Sequence, residues 1–319
     1  MKDASCLRLV FVATGDIALP TFRHLLEVGP RPLALVTQPD KPVGRHQTLM
    51  PPTLKLEALQ AGVEVWQPAV IGDVSRELAA LAPDVVVVMA YGQILRANIL
   101  SLASCAIINL HASLLPRHRG ASCIQAAIDA DDATTGVSAM HVIRELDAGD
   151  VICAKAICLG AAETGGDLHD RLAELAPEVL AETLQLLAFG MATRSPQDPA
   201  LATYAPKLDR ENGRIDWTLD AVALERRIRA YDPWPGTFAV VREAAQPKRL
   251  KIFPPVDVCD STLRPGEFAV EDGHLKVGCG NGALRLHLLQ PEGARRMTAA
   301  EYLRGRQLGC AESIDDSTD

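Results

Sequence analysis

Val85, Val86, Val87 and Val88 stand in unbroken succession between Asp84 and Met89. A strand exposed on one side alternates apolar and polar residues, whereas one covered on both faces is apolar throughout. The run therefore predicts a central strand of a parallel sheet with helices on either side. Its surroundings fit that reading. Short apolar runs at 7–13, 32–37, 63–66 and 105–110 alternate with helical patterns at 18–28, from Thr53, at 75–81 and around 96–102. This rhythm predicts an α/β fold built on an open, Rossmann-like, doubly wound parallel sheet with right-handed crossovers. Ligands of such sheets bind beyond the carboxyl ends of the strands, which directs attention to the residues after Met89 and Ile108.

A long amphipathic helix over 166–189 ends at Gly190, a residue suited to a helix C-cap. Residues 191–206 carry Ser, Pro, Gln and Asp without periodicity and read as a linker between a first domain, 1–190, and a second, 207–311. In the second, a helix over 221–230 precedes strand-like pieces at 237–241, 249–253, 266–270, 274–277 and 283–289, which predicts a small, OB-like β-barrel.

The chain has 319 residues, 48% hydrophobic, with a net charge of −8, a composition that excludes a wholly disordered chain. Taken whole, the charge argues against a nucleic-acid partner. Taken in parts it does not: 1–204 carries −7, 205–311 carries +3 and the tail 312–319 carries −4. Eight cysteines without a C-x-x-C pair signal neither a zinc site nor a disulfide framework. The longest apolar stretch, 85–91, is far short of the roughly 18 residues of a membrane helix, and 7–13 is too short for a signal sequence, so a cytoplasmic protein without a membrane partner is expected.

Asn109 and His111 lie at the mouth of the apolar run 105–110, and a spacing of two puts them on one face of a strand. An Asn amide and an imidazole together suit an oxygen gaining negative charge, although N-x-H is equally the signature of a capped strand end. Leu146-Asp147-Ala148-Gly149-Asp150 follows a further extended run, 136–142, and supplies a carboxylate in a turn. A carboxylate beside an imidazole favours the charged ring.

These residues carry a resemblance. Asn109, His111, Ser113, Leu114, Leu115, Pro116, Arg119 and Gly120 match N-x-H-x-S-L-L-P-x-x-R-G, and Leu146, Asp147, Gly149 and Asp150 match L-D-x-G-D. Both belong to the 10-formyltetrahydrofolate-dependent formyltransferases, which the chain resembles over essentially its whole length. The core is shared by members acting on glycinamide ribonucleotide and on amino sugar nucleotides. The acceptor is indicated by Thr37-Gln38-Pro39-Asp40-Lys41-Pro42-Val43-Gly44-Arg45, by Arg214-Ile215-Asp216-Trp217, and by Pro291-Glu292-Gly293-Ala294-Arg295-Arg296-Met297, which resemble segments of the branch acting on methionyl-tRNA.

The resemblance implies formyl transfer from 10-formyltetrahydrofolate, without a metal, to the α-amino group of methionine on initiator methionyl-tRNA, by a monomer. Transfer to an amino sugar nucleotide is the alternative. It implies catalytic roles for Asn109, His111 and Asp147, with the pterin against Gln93, Ile94 and Leu95, the turn of Ser113, Leu114, Leu115 and Pro116, and the stretch from Ile143 to Asp147. It implies tRNA contacts at Arg45, Lys207, Arg214, Arg229, Lys248, Arg249, Arg295 and Arg296. The chain departs from the family's F-A-G-T-P-x-F in its first strand, with Ala13, Gly15 and Ile17 in place of Gly, Pro and Phe. It also carries Ser122-Cys123 where Ala-Pro is usual.

Overall fold

The structure, a computed structural model, describes residues 3–43, 48–243, 246–271 and 273–304. Arg45 and the acidic tail lie outside the described residues. Two compact units are formed. One comprises residues 1–123, 134–158 and 169–206, and the other 124–133, 159–168 and 207–319.

The first unit holds, in chain order, β1 (Leu9–Ala13), α1 (Leu19–Glu27), β2 (Ala34–Val36), β3 (Lys41–Val43), β4 (Thr48–Met50), α2 (Thr53–Gln60) and β5 (Glu64–Trp66). There follow α3 (Ser75–Ala80), β6 (Val85–Met89), α4 (Ala97–Leu100), β7 (Ala106–His111), β8 (Thr134–His141), β9 (Val151–Cys158) and, from His169 on, α6 (Gly165–Ala188); α5 (Cys123–Asp129), between β7 and β8 in the chain, belongs to the second unit from Ile124. Seven strands make one sheet in the order β5-β2-β1-β6-β7-β8-β9. The valine run is β6, paired in parallel with β1 and β7 and buried along its length.

The sheet is not parallel throughout. β8 and β9 continue it antiparallel beyond β7, a difference from the doubly wound expectation. Here β8 follows β7 through one short helix, and β9 returns through a tight turn at 142–150, which antiparallel pairing allows. The chain lays β2 and β5 on one side of β1 and β6 on the other. The direction of winding therefore reverses beside β1, and the crevice lies at the carboxyl ends of β1 and β6.

Residues 191–206, read as a linker, are hydrogen-bonded to the first unit: Ser195 exchanges main-chain hydrogen bonds with Val151 at 2.9 and 3.1 Å, and Arg119 with Thr203 and Ala205 at 2.8 and 2.7 Å.

The second unit is built on α7 (Ala221–Ala230), β10 (Thr237–Glu243), β11 (Gln246–Cys259), β12 (Phe268–Glu271), β13 (His274–Gly278), β14 (Ala283–Pro291), β15 (Met297–Thr298) and α8 (Ala299–Leu303). Asp220 caps α7 through a 2.8 Å hydrogen bond from the Val222 amide, and Leu224 and Ile228 turn its apolar stripe into the core. The strands form one antiparallel sheet in the order β10-β11-β14-β13-β12, with β15 on β14. No ladder joins β10 to β12 among the described residues, and the long strand β11 serves both halves of the sheet. β11 pairs with β10 up to Ile252 and with β14 from Leu250 onward, with a register shift between Phe253 and Val256 at Pro254-Pro255, which have no N–H to give the ladder.

Trp217 is fully buried at the centre of this core, edge-on to Phe268 at 6.2 Å. Trp217→Ala should cost about 3–5 kcal/mol in chemical denaturation of the second unit; a loss below about 1 kcal/mol would show that the sheet and α7 close without it.

Candidate active site

β7 delivers Asn109 and His111 to the same face because Ile108 and Leu110 point into the core on the other. His111, only 6% exposed, has its Nε2 2.9 Å from the His118 carbonyl. A carbonyl only accepts, so this nitrogen carries a proton and donates it. Nδ1 faces the Asp147 carboxylate, 3.7 Å from Oδ2. That separation is too long for a hydrogen bond, so a proton on Nδ1 is free of Asp147. The Asn109 amide, half-buried, makes no hydrogen bond with any described residue, and its N–H groups are likewise free.

Asp147 stands in the turn between β8 and β9 with φ at 49°, a left-handed conformation uncommon outside glycine. Its Oδ2 accepts from the Gly120 amide at 2.8 Å. Gly120 must be glycine: its φ is 107°, and a Cβ there would lie 2.4 Å from the Ala205 carbonyl oxygen. The Cys123 sulfur also faces the imidazole. Burial disfavours a charged ring, yet the Cys123 sulfur, the Asp147 carboxylate and the His118 carbonyl outweigh it and raise the His111 pKa to about 9.

The other expected residues divide. Ile94 is 81% exposed beside the carboxyl end of β6, and Ile143 is exposed on the Asp147 turn, so both offer an apolar surface. Leu146, on the same turn, adds a third at 61% exposed. Leu95 instead belongs to the core. The Gln93 amide is spent on the loop before α3, accepting from the Ile71 amide at 2.9 Å and donating to the Ala69 carbonyl at 3.0 Å. Ser113 is fully buried and its hydroxyl donates to the Arg117 carbonyl at 2.7 Å, which closes the turn containing the half-buried Leu114, Leu115 and Pro116. Gln93 and Ser113 thus hold loops in place, leaving their main chain rather than their side chains to a ligand.

In the second unit, Lys207 and Lys248 are exposed. Arg249 pairs with Glu211 at 2.7 Å and lies over Phe238, Arg295 pairs with Glu301 at 2.6 Å, and Arg296 stacks on Phe253 at 3.6 Å. Arg229 is pinned to Glu225 and to the Glu163 carbonyl, and Arg214 is half-buried. Residues 124–133 and 159–168 fold with this unit and bring five carboxylates, two of which pair with Arg226 and Arg227 at 3.0 Å. The positive excess counted over 205–311 is therefore offset within the unit.

The profile described as Formyl transferase matches residues 26–184, and that described as Formyl transferase, C-terminal domain matches 207–307. Among curated relatives, methionyl-tRNA formyltransferase of Akkermansia muciniphila is 47% identical over 305 residues, covering 94% of this chain and 96% of that protein. The enzyme of the same name from Geobacter sulfurreducens is 40% identical, covering 95% of each. Among solved structures, an N-formyltransferase from Helicobacter canadensis, in complex with folinic acid and dTDP-3-aminofucose, shares the fold with a TM-score of 0.65 at 14% identity, covering 89% of this chain and 99% of that one. The fold is thus that of a formyl transferase. More narrowly, the chain belongs to the methionyl-tRNA formyltransferase family.

The raised pKa has a consequence for stability. Protonation of His111 stabilises the folded chain. That contribution is complete below the ordinary value of 6.5 and disappears as pH rises through about 9. NMR titration of the His111 ring should give a midpoint near 9, with a matching fall in unfolding free energy across that window. A midpoint at or below 6.5 would show that desolvation wins.

Proposed function

We propose that this protein transfers the formyl group of 10-formyltetrahydrofolate to the α-amino group of methionine on initiator methionyl-tRNA. The observation that carries the proposal is the 47% identity with a methionyl-tRNA formyltransferase across both units, against 14% with a structure bound to an amino sugar nucleotide. Translation initiation by a monomer in a bacterial cytosol is the setting this reading implies.

The residues fit the folate. A free Asn109 amide and an Nδ1 of His111 not bonded to Asp147 lie at the end of the sheet where Ile94, Ile143 and Leu146 expose an apolar surface to a flat heterocycle. The bound folate supplies an activated formyl carbon. Asn109 donates an N–H to the oxygen that gains charge as the amine attacks, and the protonated His111 offers it a second donor from Nδ1. Asp147 keeps the ring charged. Its Oδ2 is committed to the Gly120 amide, so Oδ1 is the atom that takes the proton released by the amine and passes it on to the departing nitrogen.

Asn109→Ala, His111→Ala and Asp147→Ala should each lower kcat about 10²–10³-fold in a folded protein. Near-normal turnover in His111→Ala would remove the ring from the reaction. The acceptor is tested by offering purified protein and 10-formyltetrahydrofolate three substrates: charged initiator tRNA, charged elongator tRNA and an amino sugar nucleotide. Formylation of the initiator alone is expected, and a formylated sugar would establish the alternative.

Lys207, Lys248, Arg249, Arg295 and Arg296 form the tRNA-contacting set of the second unit in this reading, with Arg45 at the reactive end. Arg229 and Arg214 serve the packing of the unit. Charge reversal at Lys248 together with Arg296 should raise the KM for tRNA and flatten its dependence on salt by about two phosphate contacts. An unchanged salt slope would place the nucleic acid elsewhere.

A further inference from the structure

Gln197 lies in the segment read as a linker, yet its side chain reaches the Asp147 turn. Its Nε2 donates to the Asp147 carbonyl and to the Gly149 carbonyl, both at 2.8 Å. Its Oε1 accepts from Nε and Nη2 of Arg119, at 3.0 and 2.7 Å. Guanidinium donors on one side and carbonyl acceptors on the other leave one orientation for the amide. Arg119 is 5% exposed and is held in turn by Tyr204, whose hydroxyl lies 3.4 Å from Nη1. Both ends of the segment are pinned, Ser195 to Val151 and Thr203 to Arg119.

The same short loop that contains Arg119 supplies the two other groups that set the site. The His118 carbonyl receives Nε2 of His111, and the Gly120 amide holds Oδ2 of Asp147. A left-handed Asp147 persists only where its neighbours over-determine it. The Gln197 side chain ties the main chain of that turn to Arg119 of the 118–120 loop.

We infer that Gln197 is a positioning residue for formyl transfer, its amide locked by Arg119 so that the Asp147 carboxylate stays beside the His111 ring. This rests on the catalytic reading of His111 and Asp147 given above. Three groups face His111: Asp147 from the turn after β8, Cys123 from the head of α5, and the His118 carbonyl from the preceding loop. Only the first depends on Gln197 directly. Without the amide, the two turn carbonyls lose their donors, Asp147 relaxes from its left-handed conformation, and the carboxylate leaves both Gly120 and the ring.

The test compares wild type with Gln197→Met, which keeps the length and removes the amide, and with Gln197→Asn, which keeps the amide and removes the reach. Turnover of 10-formyltetrahydrofolate with charged initiator tRNA is followed against pH, alongside NMR titration of His111. Expected in Gln197→Met is a kcat lower by about 10–100-fold, the range seen when a group orienting a functional ligand is lost. The KM for tRNA should stay near wild type, while the alkaline limb of the pH profile and the His111 midpoint both move to lower pH. Gln197→Asn should shift both in the same direction, and it carries the test if the Met variant does not fold. A His111 midpoint and alkaline limb unmoved in a folded variant would overturn the inference, as would failure of both variants to fold, which would make Gln197 structural. If wild type shows no alkaline limb, or His111→Ala retains its turnover, the catalytic reading itself fails, an outcome distinguishable from loss of the clamp alone.

Discussion

A protonated imidazole buried at the end of a sheet needs from its surroundings what water would have given it, and at His111 each substitute comes from a different part of the chain. The strand β7 supplies the ring, the loop after it a carbonyl for Nε2, and the turn after β8 a carboxylate 3.7 Å from Nδ1. The glycines around them follow from this convergence. A Cβ at Gly120 would meet the Ala205 carbonyl oxygen at 2.4 Å, and one at Gly149 would meet the His141 carbonyl oxygen at 1.8 Å. Motif residues thus serve two ends. Asn109, His111 and Asp147 present polar atoms to a ligand, whereas Ser113, Gly120 and Gly149 let three segments approach closely enough for that to happen.

This division explains what was legible in the sequence. The valine run identified β6, and a spacing of two identified the shared face of Asn109 and His111, because both signals are local. β9 is harder to read: Val151–Cys158 is rich in alanine and cysteine, and its two faces differ little in polarity. The short hairpin of β3 and β4 pairs only three residues on each side and carries no alternation strong enough to mark it. Gln197 was out of reach for a different reason. It acts on main-chain carbonyls some 50 residues away, so neither the residue type nor its neighbours announce a partner. The polar, aperiodic texture that suggested a linker is what a segment looks like when its contacts are hydrogen bonds to another loop rather than an apolar stripe.

Charge was misread for a related reason, since counting along the chain assigns each carboxylate to its neighbours in sequence. The Arg226 and Arg227 side chains pair instead with Asp131 and Asp129, nearly a hundred residues earlier. A positive excess on a segment is therefore weaker evidence for a nucleic-acid partner than a cluster that stays uncompensated in space. With a Debye length of about 8 Å, the relevant charge is that of the nearest few side chains. Arg249 and Arg296 each lie over a phenylalanine ring, at 4.4 and 3.6 Å, which restricts the guanidinium; Arg249 is in addition paired with Glu211.

The altered first-strand motif can be judged in the same terms. Gly15 has φ −69° and ψ 154°, close to the φ of about −65° that a proline ring imposes, so the backbone follows the path that Pro would set. Losing the ring costs entropy in the unfolded chain, on the order of 0.4–1 kcal/mol, and does not redirect the main chain. Ala13 and Ile17 are buried, at 0 and 7% exposure, so both positions remain apolar core. The end of β1 is instead fixed by hydrogen bonds that survive the exchange: the Gln38 amide donates at 3.1 Å to the hydroxyl of Thr14, the motif threonine that the chain keeps, and the Gln38 side chain donates to the Tyr91 carbonyl at 3.1 Å. Those bonds tie the loop after β2 to the ends of β1 and β6, across the point where the winding of the sheet reverses. The crevice is held in shape by Thr14 and Gln38, which is why Gly, Pro and Phe can be exchanged for Ala, Gly and Ile beside it.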